Sequence, residues 1–407
     1  MKRLQEAYDW LNADAGENEI TPFVLWVGGV VVALMLRLSL WNFENYDTRD
    51  FLVPWYDAIV NNGRWHSFAS GFANYTPPYL YLLTLATYFP FSKLHAVKFI
   101  ALMFDFPLAY YAAQLVRLRY PQQRTAVLAA FLLVLFTPTV FCNSALWGQC
   151  DAMYTTFVLA SFYYAAQQRW RPSLILLGVA LAFKLQTVFV LPVFIYLFLR
   201  QGFPIYYWLA LPVVYGVSIV PAWLLGRPLG QLLKIYVEQA RTYPMLTQNA
   251  PNFYQWLTPD APVWSKAGLM FTGGLLYLLG VLILRSRVKF TRDIWLKVAL
   301  TVLLLVPFTL PQMHERYFFA ADVLSIVYAF YFPRFWYVPL LVVGSSLVSY
   351  SPFLYGKTPV NLAYAAGFML CALVLVARDL VRHLYPPMSS ENVPHALADG
   401  SAREIAG

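Results

Sequence analysis

Residues 42–57, NFENYDTRDFLVPWYD, and 74–91, NYTPPYLYLLTLATYFPF, decide how the rest of the chain is read. They follow the first apolar run and set two carboxylates, Asp47 and Asp50, beside a hydrophobic span. An ionised group inside hydrocarbon costs about 3 kcal/mol on insertion scales, so acids kept at a membrane edge point to polar chemistry there. The second half opens on a Pro77-Pro78 pair and holds only a short apolar stretch, 77–91. Whether that stretch crosses a bilayer fixes the side on which every later loop falls.

Membrane character comes from composition. Of 407 residues 60% are hydrophobic and 12% charged, and the mean hydropathy is +0.54. The apolar residues arrive in runs near the length that crosses a bilayer, about 17–25 residues. Runs such as 22–40, 128–140, 299–310 and 363–377 are apolar all round, whereas soluble helices alternate an apolar stripe with a charged face. Glu6, Asp9, Asp14, Glu17 and Glu19 precede the first run, which argues against a cleaved signal peptide and for a retained anchor. Residues 1–20 are expected to form an amphipathic surface helix. The net charge of +9 lies in short loops and does not form a patch with interleaved aromatics, so nucleic acid is not an expected partner. Cys142, Cys150 and Cys371 have no metal-ligand spacing, and a disulfide is not expected.

The loop charges then set the topology. If 77–91 crossed, Arg117, Arg119 and Arg124 would fall opposite the N-terminus, against the tendency of basic loops to stay inside. If it lies re-entrant or interfacial, the basic loops align on one side. The spans expected are 22–40, 95–117, 124–141, 151–167, 172–184, 186–199, 205–225, 264–284, 293–311, 315–332, 335–351 and 361–378. That makes an all-α polytopic membrane protein of about twelve transmembrane helices with both termini cytoplasmic. A single domain covers 1–385, with a first outer loop at 41–93 carrying juxtamembrane helices and a long outer loop at 226–263. The tail 386–407 is small and polar and is expected to be disordered.

Under this topology the candidate chemistry gathers on the non-cytoplasmic side. Asp47 and Asp50 are candidate general bases, because partial desolvation raises a carboxylate pKa toward neutrality. Asp50 is favoured, since Phe51, Pro54 and Trp55 follow it in what reads as an interfacial helix. Asp151 ends the run Trp147-Gly148-Gln149-Cys150 and opens a span, where it either caps the helix or faces substrate. Lys184 and Gln186 interrupt an apolar run, and a lipid phosphate is the natural partner of such a lysine. His314, Glu315 and Arg316 stand at a helix start suited to phosphate, without a second histidine at zinc spacing. The long loop carries Arg241, Asn249, Asn252 and Tyr254, a mix of carboxamides and rings suited to sugars. Nucleotide loops, dinucleotide fingerprints and hydrolase elbows are missing.

Together, the acidic first loop, Tyr75-Thr76-Pro77-Pro78, the Trp147 to Asp151 turn, the Lys184/Gln186 break and Met313-His314-Glu315-Arg316-Tyr317 resemble the GT-C glycosyltransferases, most closely bacterial proteins similar to PIG-V-type mannosyltransferases. The resemblance covers residues 20–380. It implies a GT-C-like fold that transfers a hexose, mannose by analogy, from a polyprenyl-phosphate donor to a lipid-linked or glycan acceptor, with inversion. It places the site on the extracytoplasmic face of a bacterial plasma membrane. Asp50 would be the base, with Asp151 and Asp47 beside it. Lys184, Gln186, His314, Arg316 and Arg241 would hold the donor phosphate. Trp147, Gln149, Asn249, Asn252, Tyr254, Glu315 and Tyr75 would contact substrate. Some relatives use a divalent metal, Mg or Mn; here the acids of the first loop are spaced Asp-x-x-Asp, and Asp50 and Asp151 are the residues a metal would use. Membrane lipids are the surrounding partner and a monomer is expected. The competing reading is a transporter or flippase of lipid-linked sugars, which predicts internal repeats and charges near mid-membrane.

Overall fold

The computed structural model describes residues 21–240, 245–257 and 262–386. The expected surface helix at 1–20, Arg241 and the tail beyond 386 lie outside the described residues. Sixteen α-helices are described: α1 Thr21–Ser39, α2 Val53–Asn61, α3 Pro77–Ala86, α4 Lys93–Arg119, α5 Arg124–Leu135, α6 Pro138–Phe141, α7 Asp151–Ala165, α8 Trp170–Phe183, α9 Leu191–Gln201, α10 Ala210–Leu224, α11 Leu229–Gln239, α12 Pro262–Arg285, α13 Arg292–Thr309, α14 Phe319–Tyr331, α15 Val338–Tyr355 and α16 Leu362–Leu384. The strands described are two residues each, β1 Thr247–Gln248 and β2 Met313–His314, paired in parallel.

Each expected span contains a helix, but the count of twelve is not met. By length and apolarity five helical segments can cross a membrane: Lys93–Arg119, Ile205–Leu224, Val263–Arg285, Pro333–Tyr355 and Leu362–Leu384. A sixth is added if Arg124–Leu135 and Pro138–Leu146, bent by 46°, form one span. Among the remaining helices, α8, α13 and α3 fall short for physical reasons. The fourteen residues of α8 rise only about 21 Å, against roughly 30 Å of hydrocarbon, and Lys184 ends that helix in extended backbone. α13 is long enough but begins with Arg292 and Asp293 and carries Lys297. α3 has ten residues and opens on Pro77, whose missing N–H a first turn can spare; a rise of about 15 Å cannot span a bilayer.

Burial separates an inner layer from an outer one. α7, α13 and α14 are buried along most of their length, whereas α10 and α12 turn Val217, Leu224, Met270 and Tyr277 outward. Inner helices therefore carry the buried polar groups, and outer ones offer apolar side chains to their surroundings. α1 is joined to α4 by Arg37 and Asp105, Nε to Oδ2 at 2.7 Å and both fully buried. Lys98 on α4 donates to the carbonyls of Leu40 and Phe43, satisfying the open end of α1 just where the first loop begins.

Candidate active site

The first loop is positioned by a reciprocal turn. Asn45 Oδ1 accepts from the Thr48 amide at 3.1 Å, and Thr48 Oγ1 accepts from the Asn45 amide at 2.9 Å. The Asn45 carboxamide then donates to the carbonyls of Leu146 and Trp147, pinning this loop to the turn before α7. That turn passes through Gly148 at φ +77°, a conformation side chains rarely take. The outcome is a meeting of residues 100 apart: Trp147 Nε1 donates to Asp47 Oδ2 at 2.8 Å and Gln149 Nε2 donates to the same oxygen at 2.6 Å.

Asp151 opens α7 without capping it. Its Oδ1 accepts from Lys184 Nζ at 2.5 Å and its Oδ2 from Asn143 at 2.8 Å. Arg316 arrives from the loop between α13 and α14. That loop is fixed by the β1–β2 pair, by the Gln312 amide on Leu246 O and by the Glu315 amide on Gln248 O. Glu315 is buried and holds Arg316 Nε at 3.1 Å. The Arg316 Nη atoms stand 3.8 Å from Asp47 and from Asp151, and its guanidinium lies 4.8 Å from the Trp147 ring centroid. Contacts at 3.8 Å are too long for hydrogen bonds, so both terminal amines keep their donors.

These groups border a cavity of about 130 Å³ lined by Asp47, Phe51, Leu52, Trp55, Asn74, Tyr75, Gln149, Phe183, Lys184, Gln186, Gln239, His314, Arg316 and Tyr317. A larger, mainly apolar groove of about 430 Å³ adjoins it. The groove shares Gln186, Gln239, His314 and Tyr317 with the cavity and continues along Leu185, Val188, Phe189, Leu269, Leu310 and Met313. The Gln186 Oε1 atom is buried without a hydrogen-bond partner among the described residues.

Several expected site residues are thus brought together: Asp47, Asp151, Lys184, Gln186, His314, Arg316, Gln149 and Tyr75. Others are not. Asp50 lies outside the cavity lining, its side chain 34% exposed and paired with the adjacent Arg49 at 3.0 Å. The helical turn Thr48–Leu52 aims successive residues in different directions, and Asp47 is the acid that turns inward. Trp147 is fully buried, stacked on Phe353 with centroids 4.6 Å apart, and holds Asp47 instead of touching the cavity. Asn252 caps the Tyr254 amide and Tyr254 donates to Thr309 O, so both build their own loop. Asn249 sits in a left-handed turn bridged to His314. His314 is kept neutral: burial, then the charges of Arg316 and Lys184, lower its pKa from 6.5 to about 3. Its 3.9 Å approach to Glu315 is therefore not an ion pair, and it offers a phosphate no charge. For a metal, Asp50 and Asp151 do not share the cavity, and among the described residues no three His, Cys, Asp or Glu side chains gather. All three cysteines are free.

Trp55, Asn74 and Tyr317, from stretches the sequence already marked, help complete the cavity, and residues it did not single out join them: Gln239 and Phe183 at its surface, with Asn45 and Asn143 behind. The combination of carboxamides and rings expected on the long loop is present, but the long loop contributes only Gln239 to it and the rest comes from other parts of the chain. No protein-family model matches the sequence, and no curated protein does.

Proposed function

We propose that the chain is an integral-membrane glycosyltransferase of GT-C type, moving a hexose, mannose by resemblance, from a polyprenyl-phosphate donor to a lipid-linked or glycan acceptor at the extracytoplasmic face of a bacterial plasma membrane. The observation that carries this reading is Arg316: a nearly buried guanidinium whose terminal amines make no hydrogen bond among the described residues, opening on a polar cavity that runs into an apolar groove. A polyprenyl phosphate has the same two parts, an anionic head and an isoprenoid tail.

In this mechanism the phosphate rests against Arg316 and Lys184 and the tail follows Leu269 and Phe189. The acceptor hydroxyl attacks the anomeric carbon from the face opposite the phosphate, forming the new C–O bond as the bond to phosphate breaks and inverting the centre. The electron pair leaves with the phosphate oxygen, where the Arg316 amines meet the charge as it develops. The proton passes to Asp47. Trp147 and Gln149 both occupy its Oδ2, which leaves Oδ1 to accept. Three carboxylates, Asp47, Asp151 and Glu315, face two cations, so donor binding depends on directed hydrogen bonds and not on surplus positive charge. Asn74, Gln149, Gln186 and Gln239 suit sugar hydroxyls, and Trp55, Tyr75 and Tyr317 suit the apolar face of a pyranose.

The test is purified protein with a panel of synthetic polyprenyl-phosphate hexoses and glycan acceptors, scored by mass spectrometry for polyprenyl phosphate and glycosylated product together. Both products should form, and Arg316→Gln should lower the yield of both together by about 10²- to 10³-fold. Movement of the intact donor across vesicles without cleavage would replace this reading with transport.

A further inference from the structure

At the opposite end of the bundle, four helices converge on a second cavity. α4 ends there at Arg119, α13 begins there, α14 ends at Tyr331, and α16 passes it between Asp379 and His383. The eighteen residues of α13 then climb about 27 Å to the loop that bears His314 and Arg316. The two cavities thus stand about one hydrocarbon thickness apart. We propose that this second cavity, of about 580 Å³, binds a phosphoryl anion at the membrane face opposite the transfer site.

Charge supports the proposal. Arg119, Lys297, Arg334 and Arg382 line the cavity against two carboxylates, Asp293 and Asp379, an excess of two positive charges without His383. The arrangement also leaves that excess unspent. Asp379 alone meets Lys297 at 2.8 Å, the Arg334 guanidinium, and the Tyr328 hydroxyl at 2.8 Å, so one carboxylate answers two cations. Arg119 reaches Asp293 only at 3.5 Å. Arg382 makes no hydrogen bond or ion pair among the described residues.

One member, Lys297, separates this cluster from ordinary basic loops, whose side chains extend into water as those of Arg119, Arg334 and Arg382 do. Lys297 is 3% exposed, stands one turn inside α13, and has its ammonium 4.4 Å from the Phe332 ring centroid. Holding a buried lysine beside a carboxylate that is already shared is costly unless a further anion completes the set. A phosphate does so with several charge-assisted acceptors, and basic pockets at helix ends on the inner face suit anionic headgroups. The same chemistry is offered by a phospholipid headgroup and by free phosphate.

The measurement is ligand-dependent thermal stabilisation of the full-length protein in detergent, paired with native mass spectrometry. The probes are dioleoyl phosphatidylglycerol, dioleoyl phosphatidylcholine and inorganic phosphate. Phosphatidylglycerol should bind and stabilise where phosphatidylcholine does not. Arg382→Gln should weaken it about tenfold, the effect of losing one charge-assisted contact, and Arg382→Glu should weaken it further. Because Arg382 is exposed and has no hydrogen bond or ion pair among the described residues, both variants should keep the unliganded melting temperature. Stabilisation by phosphate as well as phosphatidylglycerol means that the phosphoryl group alone is recognised; stabilisation by phosphatidylglycerol alone assigns the site to the lipid. Equal binding of the two lipids, or unchanged binding in both variants, overturns the proposal. The readout is binding, so either result leaves the transferase reading untouched.

Discussion

Arg37, fully buried, and Arg316, nearly so, both stand beside aspartate, yet their hydrogen bonding differs. Every Arg37 nitrogen is committed: Nε to Asp105 at 2.7 Å, Nη1 to Ala33 O at 3.1 Å and Nη2 to Leu135 O at 3.0 Å. Ser144 adds a further hydrogen bond to the same Asp105 oxygen. Arg316 commits only Nε, to Glu315, and holds its amines 3.8 Å from Asp47 and Asp151. Arg316 is also the more open of the two, its side chain 12% exposed, and it faces three carboxylates where Arg37 faces one. Completeness of hydrogen bonding also separates them: one arginine joins three helices, and the other keeps the donors that the proposed mechanism assigns to the phosphate.

The contrast breaks first at turnover. Asp47→Asn preserves the shape that Trp147 and Gln149 hold but cannot take a proton, so kcat should fall about 10²- to 10⁴-fold with the melting temperature nearly unchanged. Retention of wild-type kcat would remove Asp47 from proton transfer. Arg316→Gln should lower kcat/KM about 10²- to 10³-fold, as expected for donors aimed at developing charge. Polyprenyl phosphate itself should bind this variant more weakly. An equal loss with Arg37→Met, measured on folded protein, would erase the distinction between the two arginines.

How far the sequence carried this reading varies by residue. The helical runs were plain from apolar length, and their ends from Lys184, Asp151 and the Pro77-Pro78 pair. The number of true crossings was not, because run length does not reveal that α8 and α14 stop short or that α13 is wrapped by other helices. In the site, charged residues at span ends were visible as costly exceptions. Which of two acids in Asp47-x-x-Asp50 faces inward depends on the Asn45–Thr48 turn, whose effect is tertiary: it matters only because Asn45 reaches the carbonyls of residues 146 and 147. Asn252 and Tyr254 misled for a related reason. Carboxamides and rings suit sugars and loop scaffolds equally, and here a Cβ at Gly268 would lie 1.8 Å from the Tyr254 hydroxyl, so α12 closes over that ring.

Arg37→Met sharpens the structural half of the comparison. It leaves Asp105 buried without its cation and should destabilise the protein by about 3–5 kcal/mol, whereas Arg37→Met with Asp105→Leu should restore most of that loss. Thermal unfolding in one detergent measures both, and a double variant no more stable than the single would show that the pair is not what joins α1 to α4. A smaller effect follows from His314. Its folded pKa, about 3, lies below the unfolded 6.5, so the unfolded chain binds the extra proton first. The stability tied to its neutrality is complete above pH 6.5 and is lost as pH falls toward 3. His314→Gln should flatten that part of the stability profile; an unchanged slope would mean the ring is already protonated when folded.

Asp50→Asn should do least, and for that reason it tests the geometry most directly. Its partner is the adjacent Arg49 on the surface, and exposed pairs contribute about 0–1 kcal/mol. Turnover should stay within about twofold, because Asp47, not Asp50, lines the cavity. A loss of 10²-fold or more would carry a specific meaning. The turn Thr48–Leu52 would have to rotate on donor binding to bring Asp50 inward, breaking the Thr48 bonds to Asn45 that hold Asp47 in place. In that case Asn45→Ala, which loosens the same turn, should raise the activity of Asp47→Asn, whereas with Asp47 as the base it should lower wild-type activity and leave Asp47→Asn unchanged.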